Sequence, residues 1–312
     1  MRALVTGGCG FIGSHLVDRL LAGGYAVDVV DDFSSGRTTN LTSARADRNH
    51  ELTIHRLDVR AAELVELCAR RRPQVVFHLA APPWGRAADL AAVVVGGTAN
   101  VLESAVAAGA GKVVMALSAE LYGDLAGRDL PAKDTRELAP RSPRGLAEHA
   151  ALDYLAAYRA EHALEFCGLT LASVYGTRRI DGVVASFARA LVAGEPGRLN
   201  GNGSTTRDFV AVDDVVDAFV RAGERGTGLV VNVATGVETS ISALHDLMAS
   251  GVGVTKAPVR TDTPASGPVR MVLDPRRAEI YLGWRPFTTL GEGVAGVLRW
   301  WAAQSPPAGS TL

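Results

Sequence analysis

The stretch Val5-Thr6-Gly7-Gly8-Cys9-Gly10-Phe11-Ile12-Gly13-Ser14-His15-Leu16 decides the reading of this chain. A short strand-like run, Ala3–Thr6, enters the glycines, and a segment with helical periodicity, Phe11–Leu21, leaves them. Glycines at 7, 10 and 13 give a tight turn and bare backbone, and the helix that opens with Phe11, Ile12 and Gly13 aims its first N–H groups at an anion. A dinucleotide pyrophosphate needs that arrangement. Three glycines alone are a weak signal, because many loops carry them. The next strand, Ala26–Val30, strengthens it by ending in Asp31-Asp32 about 20 residues on, where a carboxylate can accept from ribose hydroxyls. Asp31 would repel a 2′-phosphate, which favours NAD over NADP, while Arg37 is near enough in sequence to leave NADP open. Asp32 also reads as a solvated charge at a strand end, and Cys9 as a small residue filling the turn.

Further along, Leu52–Leu57, Ala61–Arg71, Val75–Leu79, Asp89–Ala108, Val113–Leu117 and Phe166–Ala172 continue the alternation of strand and helix patterns. A long helix is predicted from Ser142 to about His162, with Ser142 as N-cap and Pro143 at the first helical position. The pattern predicts βαβ units and an α/β fold, a doubly wound parallel sheet of the Rossmann type. Asp58 and Val59, after the third strand, are placed to reach the adenine, and Leu79, Ala80 and Ala81, at the end of the fourth, to lie under the cofactor. From about Ser173 glycine and proline rise and elements shorten, around Phe209–Val212, Val230–Val233 and Ser240–Ala249. The expected organisation is a dinucleotide-binding domain over 1–172 and a smaller, partly interleaved substrate lobe over 173–312. The polar segment Arg37–Asn49 is expected to be a mobile loop beside the cofactor, and Ser305–Leu312 a poorly ordered tail.

Composition narrows the function classes. At 312 residues the chain can bury a large core, and its formal charge of -1 carries no footprint for nucleic acid or an anionic membrane. Small-molecule chemistry is the expectation. Cys9, Cys68 and Cys167 are odd in number and lack metal-ligand spacing, so they read as reduced, packed thiols, and no metal site is expected. The N-terminus runs straight into a strand with no charged leader or apolar region, and no segment approaches the roughly 20 apolar residues of a bilayer span. The expected setting is the cytoplasm.

Four further stretches complete an ordered series along nearly the whole chain. They are Phe77-His78-Leu79-Ala80-Ala81, Ser118-Ala119-Glu120-Leu121-Tyr122-Gly123-Asp124, Val174-Tyr175-Gly176, and Thr206-Arg207-Asp208-Phe209-Val210-Ala211-Val212-Asp213-Asp214-Val215. With the glycine loop they resemble the extended short-chain dehydrogenase/reductase family, particularly the UDP-glucose 4-epimerase group of nucleotide-sugar enzymes. The resemblance implies bound NAD, a nucleotide-diphosphate sugar as substrate, and transient oxidation of a sugar hydroxyl followed by epimerisation, dehydration or decarboxylation. It also implies pairing of helical faces into a homodimer.

In that family a Tyr, its pKa lowered by a Lys four residues later, removes the hydroxyl proton with the help of a Ser or Thr. Ser118 matches the last of these, but Arg144 stands at the Tyr position and Glu148 at the Lys position. Arginine stays protonated, so Arg144 cannot take a proton, and the charge of Glu148 acts on a neighbouring pKa oppositely to a cation. The two share a helix face and can pair. Glu120, in a frame like the family's Thr-x-Glu-x-Tyr-Gly stretch, is the candidate replacement for proton transfer, with a polar pocket-lining role as its simpler reading. Tyr122 reads as structural. Val94 stands where the family has an Asn ahead of Gly97-Thr98, the segment between Ala81 and Gly97 is short and holds Pro82-Pro83-Trp84, and Ser173 stands where Asn often precedes Val-Tyr-Gly. Arg207 and Arg270 match positions that grip the substrate diphosphate, and Trp284 is expected in the core. Two functions follow: a nucleotide-sugar enzyme with altered catalytic residues, or a catalytically silent NAD- and nucleotide-sugar-binding partner.

Overall fold

The structure is a computed structural model that describes residues 1–47, 49, 51–125, 127–262 and 269–304. Its strands are β1 (Arg2–Thr6), β2 (Ala26–Asp31), β3 (Leu52–Arg56), β4 (Val75–His78), β5 (Lys112–Ser118), β6 (Glu165–Leu171), β7 (Ser173–Tyr175), β8 (Arg198–Asn200), β9 (Thr206–Ala211), β10 (Leu229–Val233), β11 (Glu238–Ser240) and β12 (Val259–Thr261). The helices are α1 (Phe11–Ala22), α2 (Thr42–Ala46), α3 (Glu63–Arg71), α4 (Ala87–Leu90), α5 (Gly97–Ala108), α6 (Pro143–His162), α7 (Gly182–Val192), α8 (Val212–Glu224), α9 (Ile241–Val252), α10 (Arg276–Leu282) and α11 (Leu290–Gln304).

Seven strands form one sheet in the order β10-β6-β5-β4-β1-β2-β3, with every pairing parallel. Successive side chains of a strand point to opposite faces, and both faces are covered. Ala3 and Val5 of β1 join the core under α1 and α8, while Leu4 joins the core under α3, α5 and α6. That double burial is why the strands read as continuous apolar runs rather than alternating ones. The chain passes from β1 outward to β2 and β3, then crosses back to β4 on the other side of β1. The crevice at the carboxyl ends of β1 and β4 is therefore the switch point at which such sheets bind ligands.

The second half is interleaved with the first. Strand β10 pairs with β6 from Leu229↔Cys167 to Val233↔Leu171, and Phe219 of α8 packs edge-on against Phe77 of β4 with ring centroids 6.5 Å apart. The sheets β11-β9-β7 and β12-β8 lie outside the main one. A third core joins Phe187, Leu191, Leu244, Met248, Val297 and Leu298 from α7, α9 and α11. Trp284 is fully buried, its Nε1 donating to Asp214 O at 2.8 Å.

Two sequence expectations need correction. Arg37–Asp47 is not a free loop: Thr38–Leu41 forms a 3₁₀ turn, α2 follows, and Leu41 is fully buried. The Arg37 backbone N–H and Asn40 Nδ2 both donate to Cys9 O, at 3.0 and 2.9 Å, so the segment is tied to the glycine loop. One apolar anchor and one shared carbonyl outweigh its polar composition. Second, α4, a π-helical turn over Ala91–Gly96 and α5 run together as one 22-residue helix, Ala87–Ala108, with an 18-residue stretch of mean hydropathy 1.6, long and apolar enough to cross a membrane by those measures. Its α5 portion packs between α3 and α6 in the second core. The tail Ser305–Leu312 lies outside the described residues.

Candidate active site

A cavity of about 1640 Å³ opens at the carboxyl ends of β1 to β6. Its floor is the glycine loop. A Cβ at Gly7 (φ 69°) would sit 2.9 Å from Ala80 N, and one at Gly13 would sit 2.2 Å from Gly7 O, so both close approaches require glycine. Gly10 differs, because a Cβ there meets only Gly7 O at 3.1 Å. No side chain caps α1, and its first main-chain bond runs from Ser14 N to Gly10 O at 3.1 Å. The N–H groups of Phe11, Ile12 and Gly13 therefore lack intrahelical partners, and all three residues line the cavity. This cradle fits an anion as large as a pyrophosphate.

Asp31 lines the cavity at the end of β2, its carboxylate accepting from Cys9 N at 2.8 Å and Phe33 N at 2.9 Å. Burial pushes its pKa up, the two backbone bonds oppose the rise, and neighbouring Asp32 adds to it. Asp32 also lines the cavity but is exposed, and its Oδ1 caps a turn by accepting from Ser34 N at 2.9 Å. Asp58 is held by Arg60 Nε at 2.9 Å, and that pairing lowers its pKa. Beside it, the Val59 backbone is fixed by Asn100, whose Nδ2 donates to Val59 O at 2.7 Å and Ala61 O at 2.9 Å. Asn100 escaped the sequence reading; its signal was an amide one residue before the apolar pair Val101-Leu102.

A buried hydrogen-bond chain holds Leu79, Ala80 and Ala81 in the cavity wall. Thr98 Oγ1 donates to Val94 O at 2.5 Å, so it accepts from His78 Nε2 at 3.1 Å. The other ring nitrogen, Nδ1, then accepts from Thr6 Oγ1 at 2.7 Å, and Thr6 Oγ1 in turn accepts from Leu79 N at 3.2 Å and Ala80 N at 3.3 Å. Burial lowers the His78 pKa to about 4, so the ring is neutral.

Ser118, Glu120, Arg144 and Glu148 converge in the cavity where β5 meets α6. Helix α6 starts as its sequence predicts, with Ser142 Oγ accepting from Gly145 N at 3.0 Å and Pro143 in the first turn. Gly145 lets the helix close on the Ala119–Tyr122 turn, since a Cβ there would lie 2.6 Å from Glu120 O. One turn further in, Glu148 is only 4% exposed, and its Oε2 accepts from Ser118 Oγ at 2.7 Å and Ser118 N at 2.8 Å. Arg144 Nη1 stands 3.7 Å from Glu148 Oε1, and its Nη2 donates to Pro82 O. Burial raises the Glu148 pKa; the Ser118 bonds and the Arg144 charge pull it back, and Glu120 pushes it up again.

The ion pair expected of positions 144 and 148 thus forms, but the grip of Glu148 on Ser118 was not foreseen. Its one sequence signal was an acid between Ala147 and Ala151 on a buried helix face. Glu120 is exposed and accepts from Ser142 Oγ. Tyr122 is buried, donating to Asn232 Oδ1 at 2.6 Å, and does not line the cavity.

Ser173, Arg207 and Arg270 do not line the cavity either. Ser173 opens β7 beside Phe209 of β9. Arg207, on β9, donates from Nη1 to Thr206 O at 2.7 Å, and burial lowers its pKa. Arg270 forks onto Glu238 at 2.6 and 2.5 Å, which, with a bond from Thr206, holds the Glu238 pKa down to about 2. The cavity is bordered instead by Arg178, Arg179, Trp300 and Trp301, which the sequence reading passed over. Arg179 lies over the Phe11 ring, 5.4 Å from its centroid. Among the described residues no cluster of three His, Cys, Asp or Glu could hold a metal. All three cysteines are buried, with the Cys9 and Cys68 thiols pushed up to about 12 and Cys167 to about 11, so each stays protonated.

Comparison with known proteins places this geometry. The profile described as NAD dependent epimerase/dehydratase family matches residues 3–234. A UDP-glucose 4-epimerase of Mycolicibacterium smegmatis is 42% identical over 98% of this chain and 100% of its own length. The structure of UDP-glucose 4-epimerase from Thermotoga maritima with UDP-glucose superposes with a TM-score of 0.91 at 34% identity, covering 97% of this chain and 99% of that one. That of Thermus thermophilus UDP-glucose 4-epimerase with NAD gives 0.86 at 30% identity, covering 96% and 99%.

Proposed function

The chain belongs to the NAD dependent epimerase/dehydratase family, and on that footing we propose that it modifies a nucleotide sugar with bound NAD, using residues other than the family's usual Tyr and Lys. The observation that carries this reading is a single cavity that joins an anion cradle at Gly7, Gly10 and Gly13 to a serine–carboxylate pair at Ser118 and Glu148. The cradle and the α1 N-terminus would hold the pyrophosphate, Asp31 and Asp32 the ribose, Asp58 and Val59 the adenine side, and Leu79, Ala80 and Ala81 the wall beneath. When bound, NAD supplies a hydride acceptor and donor. Ser118 meets the reacting sugar hydroxyl, and a carboxylate beside it receives the proton, the two within reach being Glu120 and Glu148. Arg144 keeps its charge and cannot serve as base.

For the substrate diphosphate, Arg207 and Arg270 are the proposed cations, with Ser173 beside them on β7; Arg270 would exchange Glu238 for phosphate. Removing such a charge-assisted bond costs about 2–3 kcal/mol of binding, so unchanged nucleotide-sugar affinity in Arg207→Ala would remove that assignment. The reading as a whole is tested by incubating the purified protein with a panel of nucleotide sugars while following the absorbance of bound dinucleotide and the product mass. Conversion of at least one sugar is expected. Absence of dinucleotide affinity by titration and mass spectrometry would refute it.

A further inference from the structure

We propose that Glu148 is the terminal proton acceptor of this site, acting through the hydroxyl of Ser118, and that Glu120 instead braces the start of α6. The proposal rests on the enzyme reading above and assigns its acid–base chemistry.

Ser118 is too weak a base to act alone, but its proton is already committed: Oγ donates to Glu148 Oε2 at 2.7 Å, leaving its lone pairs to accept from a substrate hydroxyl. The step balances as a relay. The sugar hydroxyl proton passes to Ser118 Oγ as the serine's own proton passes to Glu148 Oε2. Serine ends unchanged and Glu148 ends neutral. The pair left on the sugar oxygen would form the carbonyl, with bound NAD as the acceptor of the carbon's hydride, and the reverse sequence would restore the hydroxyl. The same oxygen of Glu148 accepts from Ser118 N at 2.8 Å, so it is aimed at this residue by two bonds from one partner.

The two carboxylates differ in surroundings. Glu148 is 4% exposed and its burial penalises the charged form, which makes it the more avid proton acceptor. Glu120 is exposed and tied to Ser142, the N-cap that receives Gly145 N. The charged groups facing Glu148 are Arg144 from its own helix, 3.7 Å from Oε1, and Glu120 from the Ala119–Tyr122 turn. The π-helical turn Ala91–Gly96 packed on α6 adds no titratable group, Asp89 of α4 is paired with Arg86 at 2.9 Å, and Glu103 of α5 lies further along, at Tyr158. Arg144 therefore tunes the base in place of being one: its cation keeps a buried carboxylate ionised enough to accept.

Two readouts test the relay. Isotope-edited infrared titration of the protein without added ligand follows the Glu148 carboxyl band, and the pH profile of kcat/KM follows turnover. The band should titrate above the ordinary glutamate range, vanish in Glu148→Gln, and move to higher pH in Arg144→Gln, with the acid limb of kcat/KM moving by the same amount. Glu148→Gln should lower kcat on the order of 10²–10⁴-fold with dinucleotide affinity kept. Glu148→Asp should recover part of that loss, and Glu120→Gln, which removes a negative charge facing Glu148, should move the band and the acid limb together to lower pH. A merely structural Glu148 would move the band in Arg144→Gln without moving the limb, which overturns the relay. So does wild-type turnover in Glu148→Gln, or a band in the ordinary range. If instead no variant and no wild-type protein converts any nucleotide sugar, the enzyme reading itself falls.

Discussion

Gly10 and Gly13 belong to one turn, yet their substitutions should behave in opposite ways. A Cβ at Gly13 would lie 2.2 Å from Gly7 O, and neither backbone can yield, so Gly13→Ala is expected to destabilise by about 1–3 kcal/mol in chemical denaturation. At Gly10, which lines the cavity, the added methyl would press only on Gly7 O at 3.1 Å, a contact that a shift of a few tenths of an ångström relieves. Gly10→Ala should therefore unfold with the wild type while losing dinucleotide affinity by about tenfold or more, close to 1.4 kcal/mol. Equal loss of stability in both variants would contradict the geometry. Glu148 gives a second prediction at this scale, with its sign set by linkage. Its folded pKa lies above the ordinary 4.5, so the folded state holds the proton longer than the unfolded one. Stability from this group is complete below the unfolded pKa and is lost as pH rises through the folded value. Glu148→Gln stays neutral and keeps an acceptor for Ser118, so its melting temperature relative to wild type should climb as pH rises from the ordinary 4.5 through the raised folded value, by a few degrees for each ~1 kcal/mol. A constant difference across that range would show that Glu148 is ionised at no cost.

Two elements carry their own tests. Helix α6 is pinned at its start by Ser142, and Ser142→Ala should cost about 1 kcal/mol of stability while releasing the Glu120 carboxylate. Strand β4 ends in His78, whose pKa falls from 6.5 to about 4 on burial. The unfolded chain then takes up a proton that the folded one refuses, so stability should drop as pH falls from about 6.5 to about 4, on the order of 3 kcal/mol in full. An imidazole resonance for His78 titrating near its ordinary value would disprove the buried network. These elements also show where sequence reading succeeds. The start of α6 was legible because a cap and a proline act within one helical turn. The ordered segment Arg37–Asp47 was not, because its polar composition says nothing of Leu41 reaching the core or of Cys9 O receiving two donors.

At the scale of the whole molecule, the chain on the two sides of the expected boundary at Ala172 interleaves, as the sequence reading expected in part. Beyond it lie β10, which pairs with β6, and α8, which covers the sheet face that holds Phe77. Asn232 of β10 accepts from Tyr122 and donates to Ala132 O at 2.9 Å and Asp274 O at 3.2 Å, joining both halves in one buried knot. A chain ending at Ala172 would expose that face and leave β6 an open edge. It should show no cooperative unfolding transition, and a well-dispersed amide spectrum from residues 1–172 would overturn the prediction.

What the sequence determined by itself was the α/β alternation, the glycine loop with Asp31 behind it, and the motif series in which Ser118 and Glu120 were the catalytic candidates and Arg144 and Glu148 the departures. Periodicity, turn chemistry and helix caps act over a few residues, and an ordered series of motifs is read without any contact. What only the tertiary structure decided was which polar groups meet. Ser118 and Glu148 stand 30 residues apart, and Arg270 and Glu238 32 apart. No local rule pairs them. Their partnerships exist because α6 closes over Gly145 on the Ala119–Tyr122 turn that follows β5, and because β11 and the chain at Val269 both bond to β9. Once buried, a carboxylate must find whatever donor the packing brings within reach.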